Sequence, residues 1–335
     1  MNTIRNYVIP RILTYFGLIF IGFTVCFVVV RISPLDPVRS ILSRYEAIGQ
    51  IYDPETYQNL KDSLEELFGL KGNLWDQYLV FIKRMFSGDL GPSLSAFPTP
   101  VSEVIHSSLP WTIGLLLVTT VVSWLIGNIV GGIAGYFSDR KWAKTLASFA
   151  LVIYPIPYYV LSLTLILFLV YLFPVFPTTG GTTIGVKPSF SLEFIADVIY
   201  HASLPGLSLV IAGYGWWFIS MRSIVVNIKS EDYVTFCKIV GLKGRRVLFK
   251  YVIRNCMLPQ ITALAMSLGS IFTGAMATEV VFGYPGVGSL LYKAVLDGDY
   301  NLMTGIISYS ILGVATAVLL LDLLYPLVDP RIRYK

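Results

Sequence analysis

Residues 109–137 read LPWTIGLLLVTTVVSWLIGNIVGGIAGYF, and this stretch decides the class of fold. It contains no charged residue, and it is longer than the roughly 20 apolar residues that a helix needs to cross the hydrocarbon core of a bilayer. It is apolar all round, whereas a surface helix of a soluble protein is apolar along one stripe. The stretch therefore predicts a transmembrane helix.

Five further segments share this length and character. The six predicted spans cover residues 12–30, 109–137, 145–173, 204–221, 258–282 and 303–328, with a loop ending at His201 before the fourth. The chain is 55% hydrophobic and only 13% charged, whereas soluble domains carry about 25% charged residues. We therefore predict an all-α membrane protein with six transmembrane helices.

The first apolar segment could instead be a signal peptide, because Arg5 and Arg11 precede it. The apolar run is long, however, and Arg31, Pro34 and Asp36 follow it rather than a cleavage site of small residues. We interpret it as a retained span.

The connections between the spans suggest three regions. Residues 1–31 hold the N-terminus and the first span, residues 32–108 an extracellular subdomain, and residues 109–335 a five-helix core with a cytoplasmic loop at about 222–257. Residues 174–197, rich in Gly, Thr and Pro, predict an irregular connection.

Two stretches of the extracellular subdomain have helical periodicity. Residues 54–68 place Leu60, Leu64 and Leu67 on one side of a predicted helix. Residues 75–86 form a second amphipathic stretch, whose predicted apolar face contains Tyr78, Leu79, Ile82 and Phe86. The subdomain is therefore predicted to be folded.

The distribution of charge predicts the orientation in the membrane. With both termini placed in the cytoplasm, most of the 25 basic residues fall in cytoplasmic segments, and most of the 20 acidic residues fall outside, chiefly between Asp36 and Glu103. Basic residues near spans favour the cytoplasmic side. The net charge of +5 is thus an orientation signal and predicts no nucleic-acid partner.

Two further patterns concern helix packing. Gly127, Gly131 and Gly135 recur at intervals of four, which lets two helices approach closely in lipid. We favour packing within this chain over a contact with another subunit or the pore wall. Pro155 and Pro157 should kink the third span, because each removes a backbone donor.

The most informative loop is residues 229–259, KSEDYVTFCKIVGLKGRRVLFKYVIRNCMLP. We expect Ser230 to cap a helix whose first turn holds Glu231 and Asp232, since acids are favoured there. The predicted apolar stripe of this helix consists of Tyr233, Phe236, Cys237 and Val240. Gly241 should end the helix, because glycine readily adopts a positive φ.

A second helix is predicted from Gly244, before Pro259 opens the fifth span. Its basic flank contains Arg245, Arg246, Lys250 and Arg254, and its apolar flank contains Val247, Leu248 and Tyr251. Such a pair of amphipathic helices can lie on anionic lipid or insert into a cleft of a soluble partner. The shape of the loop alone does not choose between them.

Six motifs in this chain resemble those of binding-protein-dependent importer permeases, in the oligopeptide, dipeptide and nickel branch. They are Arg31-Ile-Ser-Pro-Leu-Asp-Pro37, Gly88-Asp-Leu-Gly91, Glu231-Asp-Tyr followed by Gly241, Arg245-Arg-Val-Leu followed by Arg254-Asn and Leu258-Pro259, Glu279-Val-Val-Phe-Gly-Tyr-Pro-Gly-Val-Gly288, and Asp329-Pro-Arg-Ile-Arg-Tyr334. The resemblance covers nearly the whole chain. Cys237 and Ile239 depart from it, standing where the family commonly has alanine.

The resemblance implies an ATP-driven import system. This chain would pair with a homologous second permease, two ATPase subunits would bind ATP and Mg, and an extracellular solute-binding protein would deliver peptides or oligosaccharides. The ATPase-coupling residues implied by the matching loop are Glu231, Asp232, Tyr233, Phe236, Cys237, Gly241, Arg245 and Arg246. The chain has no Gly-x4-Gly-Lys-Ser/Thr phosphate loop, so it is not expected to hydrolyse ATP or to bind a cofactor itself.

Candidate residues of the translocation pathway are Tyr214, Trp216, Trp217 and Glu279. The three aromatic residues could stack on solutes, or could simply form an interfacial belt or pack between helices. An ion-coupled secondary transporter or a channel is the alternative function, but the charged residues Glu279 and Asp322 fall near span ends rather than in a midplane cluster.

A membrane enzyme is a third possibility. It would need a nucleophile with a base, or a metal site, and neither pattern is present. His106 and His201 have no partner at metal-ligand spacing, so we predict no metal site. The three cysteines, Cys26, Cys237 and Cys256, predict no disulfide framework.

Overall fold

The structure is a computed structural model that describes residues 8–32, 37–47, 53–186, 188–273 and 275–328. Residues 33–36 of the first quoted motif, and all of the motif at 329–334, lie outside the described residues. Within the described part of the chain the regular structure is helical, with one isolated bridge between Pro92 and Pro100. The prediction of an all-α membrane protein is confirmed.

The helices share one naming scheme in chain order. They are α1 (Ile9–Ile32), α2 (Pro37–Ala47), α3 (Pro54–Leu67), α4 (Leu74–Ser87), α5 (Val101–Tyr136), α6 (Lys141–Ile153), α7 (Tyr158–Ile166), α8 (Leu192–Ile228), α9 (Asp232–Ile239), α10 (Gly244–Val247), α11 (Arg254–Gly269), α12 (Met276–Val281), α13 (Val287–Asp297) and α14 (Tyr300–Val328). Two π-helical stretches, Leu167–Leu172 and Leu248–Ile253, extend α7 and join α10 to α11.

Four helices in the described part of the chain are long and apolar enough to cross a membrane: α1, α5, α8 and the Tyr300–Leu323 part of α14. A fifth span results if α6 and the following Tyr158–Leu172 segment are counted together, although they are bent by 97°. The bend falls at Pro155 and Pro157, so the predicted kink is confirmed.

The predicted span at 258–282 is interrupted. α11 ends at Gly269, a 3-10 turn follows at Ser270–Thr273, and α12 starts at Met276. In that turn the hydroxyl of Ser270 donates to the carbonyl of Ser267 at 2.7 Å. Such local side-chain bonds compete with regular helix and favour helix ends. The prediction that Pro259 opens the fifth span is wrong, because Pro259 lies inside α11, which starts at Arg254.

The fourth span is longer than predicted. α8 starts at Leu192, where the hydroxyl of Ser191 accepts a hydrogen bond from the backbone N–H of Phe194 at 3.2 Å. The prediction of a loop reaching Asp197 and His201 is therefore wrong from residue 192 onward. The polar residues of the first turns and Pro205 hid the helix in the sequence, although membrane helices tolerate proline.

The chain divides into two compact units. The first comprises residues 1–112, 272–276 and 285–319, and the second comprises residues 113–271, 277–284 and 320–335. The three regions inferred from span boundaries stay a prediction.

In the first unit, α2 and α3 pack around a small core. This core consists of Val38, Leu42, Leu64, Phe68 and Leu94. α4 packs against α1 through aromatic rings: Phe27 lies 5.3 Å from Tyr78 and 5.5 Å from Phe81, measured between ring centroids. Both helices predicted in the subdomain are thus present.

The predicted register of α4 needs correction. Leu79 and Phe86 are exposed, whereas Phe81, Ile82 and Met85 pack against residues of α1 and α14. Tyr78 and Ile82 were assigned correctly, but Phe81 and Met85 complete the packed face in place of Leu79 and Phe86, because positions 78, 81, 82 and 85 follow the i, i+3, i+4, i+7 pattern of one helical face.

A buried carboxylate fixes the N-terminus of α14 in the first unit. Asp299 Oδ2 accepts hydrogen bonds from Ser93 Oγ at 2.6 Å, Ser95 N at 2.9 Å and Ser95 Oγ at 3.0 Å. Asp299 Oδ1 accepts from the backbone N–H of Leu302 at 3.0 Å. Asp299 is fully buried, and these donors offset the cost of removing its charge from water.

In the second unit, α5 and α8 are in backbone contact along the glycine row. A Cβ added to Gly131 would lie 2.5 Å from the carbonyl oxygen of Phe218, and one added to Gly135 would lie 2.9 Å from that of Arg222. A Cβ at Gly127 would overlap the Cβ of Trp217. The prediction that these glycines pack within this chain is confirmed.

Candidate functional site

The segment after α8 folds into two packed arms, which we together call the bracket. The first arm is α9, and the second arm runs from α10 to the start of α11, residues 244–256. The N-cap of α9 is Glu231, in extended conformation, and Asp232 occupies the first turn. Ser230 does not cap, because its hydroxyl donates to the carbonyl of Asn227 at 2.8 Å, and this corrects the predicted cap. The helix ends before Gly241, whose φ of +83° confirms the predicted role of this glycine.

One side of α9 is anchored. Val234 is fully buried and Cys237 is 8% exposed, in a cluster with Met221 and Val225 of α8. The same cluster contains Val247, Val252 and Cys256 from the second arm of the bracket. α9 therefore rests on both α8 and the start of α11.

The opposite side of α9 carries an uncovered apolar patch. Phe236 is 65% exposed, Ile239 77% and Val240 61%, and we call these three residues the apolar patch. The predicted stripe of Tyr233, Phe236, Cys237 and Val240 is thus divided, because Cys237 points inward while the other three are exposed.

A hydrogen-bonded link holds the two arms together. Asn255 Nδ2 donates to Tyr233 Oη at 3.0 Å and to the carbonyl of Tyr251 at 2.7 Å. Because Tyr233 belongs to α9 and Asn255 to α11, this link ties the exposed end of α9 to the second arm.

The second arm carries exposed basic residues. Arg245, Arg246, Lys250 and Arg254 are all exposed, whereas Val247 and Leu248 are buried. The bracket therefore presents an apolar patch beside a cationic flank.

A groove between α5, α8 and α11 contains two of the predicted pathway residues. Trp216 and Trp217 line a cavity of about 430 Å³. The other polar residues of its wall carry hydroxyl groups: Thr119, Thr120, Ser123 and Ser267. We call this cavity the groove. Sequence reasoning missed these hydroxyl groups, and their recurrence on one face of α5 was the available signal.

The other two predicted pathway residues lie elsewhere. Tyr214 packs on Phe218 with ring centroids 5.5 Å apart. Glu279 is fully buried in α12 and does not line the groove. Burial, and then the nearby charge of Glu279, raise the pKa of the Tyr284 phenol to about 12, which keeps it neutral.

The described part of the chain contains no group of three His, Cys, Asp or Glu residues placed to hold a metal ion. His106 Nε2 lies 3.3 Å from Tyr309 Oη, and His201 Nδ1 lies 2.9 Å from the carbonyl of Asp197. Both histidines are engaged in local contacts.

Residues 127–334 match the family described as "Binding-protein-dependent transport system inner membrane component". The chain is 31% identical to the oligopeptide transport system permease protein AppB of Bacillus subtilis, over 98% of this chain and 99% of the relative. It is 29% identical to the oligopeptide permease protein OppB of Haemophilus influenzae, with the same coverage. It is 30% identical to the dipeptide permease protein DppB of Escherichia coli, over 94% of this chain and 95% of the relative.

Proposed function

Because this chain belongs to the binding-protein-dependent transport system inner membrane components, the permease subunits of ABC importers, we propose that it forms half of the translocation pathway of a peptide importer. The relatives named above are oligopeptide and dipeptide permeases, which supports peptides over the oligosaccharides that the motifs left open. The chain is a multi-pass inner membrane protein.

The proposed topology has six spans with both termini in the cytoplasm. The distribution of basic residues supports this orientation. The interrupted segment of α11 and α12 supplies the remaining span as a broken helix, a form that membranes tolerate where protein covers the break. The bracket of α9 and α10 then lies in the cytoplasm.

The proposed partner of the apolar patch is an ATPase subunit. Three large apolar side chains, each more than half exposed, stand on a helix that Val234 and Cys237 hold in place. A rigid helix with an uncovered apolar side fits a groove in a partner protein. ATP and Mg would bind to the ATPase pair, and a second, homologous permease would complete the pathway.

The proposed mechanism is mechanical. Closure of the ATPase pair on nucleotide displaces α9, and the buried cluster transmits this movement to α8 through Met221 and Val225 and to α11 through Cys256. Coupling of this kind requires a packed element with two arrangements that ligand binding favours unequally. The pathway would then open toward the extracellular binding protein, which delivers the peptide.

The observation that carries this proposal is the exposure of the apolar patch on an anchored helix, and Phe236→Asp tests it. A carboxylate at this position would have to enter an apolar cleft without a partner, which is costly. We expect the ATPase subunits to be lost when the complex is purified through a tag on this chain, and peptide uptake into vesicles to be abolished.

Phe86→Asp is the matched control, because Phe86 of α4 is 72% exposed, close to the 65% of Phe236. It should retain the ATPase subunits. Normal ATPase recovery with Phe236→Asp would refute docking at α9. Uptake that persists in vesicles without ATP, driven by an ion gradient alone, would favour the secondary transporter instead.

A further inference from the structure

A small cavity in the first unit lies beside the C-terminal end of α1, next to α4 and the start of α14. Its volume is about 40 Å³, and since one water needs roughly 10–15 Å³ of such space, it holds about three groups of that size. Two of the motifs that resemble importer permeases meet here, because Arg31 of the first and Leu90 of the second both line the cavity. The proposed transport mechanism does not use it.

Two arginine side chains line this cavity, Arg31 in the last turn of α1 and Arg84 of α4. Arg31 Nη2 donates to the backbone carbonyl of Gly69 at 3.2 Å, and Arg84 Nη1 lies 3.5 Å from the position of a Cβ on the same glycine. The two guanidinium groups therefore flank one residue. Both side chains are half-buried, so water screens their mutual repulsion less than it would on an open surface.

Among the described residues, no acidic side chain lines the cavity to balance this charge. Neither arginine forms an ion pair with another residue that the structure describes. Two carboxylates nearby in the sequence have other partners: Glu66 pairs with Lys71 at 3.5 Å, and Asp89 Oδ1 accepts from the backbone N–H of Gly91 at 3.0 Å. Because removing a charge from water is costly without a partner, two arginines that face one cavity indicate an anionic ligand.

Each arginine is held in place by contacts that leave further N–H groups for a ligand. Arg84 Nη2 donates to the carbonyl of Leu67 at 3.0 Å, at the end of α3. The guanidinium of Arg31 lies 5.4 Å from the centre of the Phe27 ring. A guanidinium has five N–H donors, and in the described part of the chain the hydrogen bonds of both arginines use Nη2 alone. Phosphate oxygens accept such donors in pairs.

The position of the cavity favours a lipid as the source of the phosphate. α1 is a membrane span, and Arg31 lies one residue before its end. α4 packs against this part of α1 and carries Leu74, Trp75 and Leu79, each more than half exposed. Tryptophan and apolar side chains on an amphipathic helix are typical of the membrane interface. The cavity therefore lies at the level of the phospholipid headgroups, and it is far smaller than the roughly 300–1,000 Å³ that a whole small molecule occupies.

We propose that Arg31 and Arg84 bind the phosphate group of an anionic phospholipid, of the phosphatidylglycerol type, at the C-terminal end of α1. Two adjacent cations disfavour a headgroup that carries its own positive charge, as phosphatidylcholine does. The bound headgroup joins the end of the first span to α4 through one phosphate. This inference concerns a lipid site and does not rest on the proposed transport of peptides.

The test uses the complete complex, purified with its partner subunits and depleted of lipid in a neutral detergent. The probes are phosphatidylglycerol, phosphatidylcholine with the same acyl chains, and inorganic phosphate, and each is titrated while thermal melting is followed by tryptophan fluorescence. We expect phosphatidylglycerol alone to raise the melting temperature, because a ligand that binds the folded state stabilises it. Mass spectrometry of the lipid that remains bound should show the same preference.

Arg31→Gln and Arg84→Gln should each lower the affinity for phosphatidylglycerol by about tenfold, since a hydrogen bond to a charged group is worth at least that factor. The affinity is read from the midpoint of each titration, so a general loss of stability is not mistaken for a loss of binding. Arg84→Gln also breaks the bond to α3, and Arg31→Gln decides the question if that variant does not assemble. Arg31→Lys keeps the charge and should bind more tightly than Arg31→Gln.

Lys83→Gln is the matched control. Lys83 is exposed on α4, next to Arg84 in the sequence, and does not line the cavity. Its loss changes the net charge by the same amount as the loss of either arginine. It should leave the affinity for phosphatidylglycerol within about twofold of wild type, because exposed charges contribute little to binding.

Four results would overturn the inference. Equal stabilisation by the two phospholipids would show that the headgroup charge is not recognised, and equal stabilisation by inorganic phosphate would assign the cavity to a free anion. An equal loss of affinity in Lys83→Gln would mean that lipid is attracted to the basic surface in general. Unchanged affinity in both Arg31→Gln and Arg84→Gln would limit the two arginines to holding α1 and α4 against the end of α3.

Discussion

At the scale of single residues, Gly241 connects a sequence signal to a conformational requirement. Its φ of +83° lies where a side chain is strained, while no atom lies within 4 Å of the position that a Cβ would occupy. Glycine is therefore required here by the positive φ of the backbone, and not by a lack of space for a side chain. A residue with a side chain in this conformation costs about 1–2 kcal/mol, more if it is branched at Cβ.

We predict that Gly241→Val abolishes peptide uptake while the chain is still inserted in the membrane. The strain would rotate the end of α9 and displace the apolar patch. Gly241→Asn is the control, because asparagine tolerates a positive φ better than other residues. Uptake assays measure transport by each variant, and immunoblots of membranes measure how much of each variant is inserted. Equal uptake by the two variants would show that this corner does not set the position of α9.

The neighbouring residues show how far sequence reasoning reaches at this scale. The end of α9 was predictable because glycine is the residue that most readily adopts the positive φ found just after a helix. Its start was not, because Ser230, a favoured cap residue, instead donates its hydroxyl to the carbonyl of Asn227, and Glu231 stands at the N-cap without a side-chain hydrogen bond. The inward position of Cys237 follows from a tertiary contact with α8, which periodicity within an eight-residue helix does not reveal.

At the scale of helices, the contact of α5 with α8 depends on the absence of side chains. The position of a Cβ on Gly131 would lie 2.5 Å from a backbone oxygen, which cannot move without shifting α8. Small residues permit such close packing where the lipid supplies no hydrophobic force between helices. The wall of the groove is formed by these two helices together with α11.

We predict that Gly131→Val destabilises the chain by about 1–3 kcal/mol, as overpacking of a tight interface does. The purified protein should melt several degrees lower, measured by tryptophan fluorescence. Gly114→Ala is the control in the same helix, because no atom lies within 4 Å of its Cβ position. Identical melting of both variants would contradict the close approach.

The limits of sequence reasoning differ for helices. The glycine row and the bend at Pro155 and Pro157 were predictable, since both depend on backbone geometry. The first turns of α8 and the break after Gly269 were not, because hydropathy does not record caps and local side-chain bonds. The groove also escaped prediction, because its wall joins three helices and no local pattern links Ser123 with Ser267.

At the scale of the whole molecule, Asp299 stabilises a contact between distant parts of the sequence. Ser93 precedes it by 206 residues, yet their side chains are 2.6 Å apart. The carboxylate receives four hydrogen bonds and also caps α14. Bonds to a charged acceptor contribute more than neutral bonds, about 1.5–3 kcal/mol each.

We predict that Asp299→Ala lowers the free energy of unfolding by about 3 kcal/mol, since it leaves the donors of Ser93 and Ser95 buried without an acceptor. Limited proteolysis and thermal melting of the purified complex measure the change. Asp297→Ala, which removes an exposed carboxylate two residues earlier, should stay within about 0.5 kcal/mol of wild type. Comparable losses in the two variants would refute the role of Asp299.

The contact at Asp299 also orders events during biosynthesis. The ribosome completes Ser93 and Ser95 long before it reaches Asp299, so the serine hydroxyls remain hydrated while most of the polypeptide is still being translated. A nascent chain that terminates prematurely never supplies their acceptor. The segment that contains Ser93 and Ser95 can acquire its final hydrogen bonds only after translation has passed Leu302.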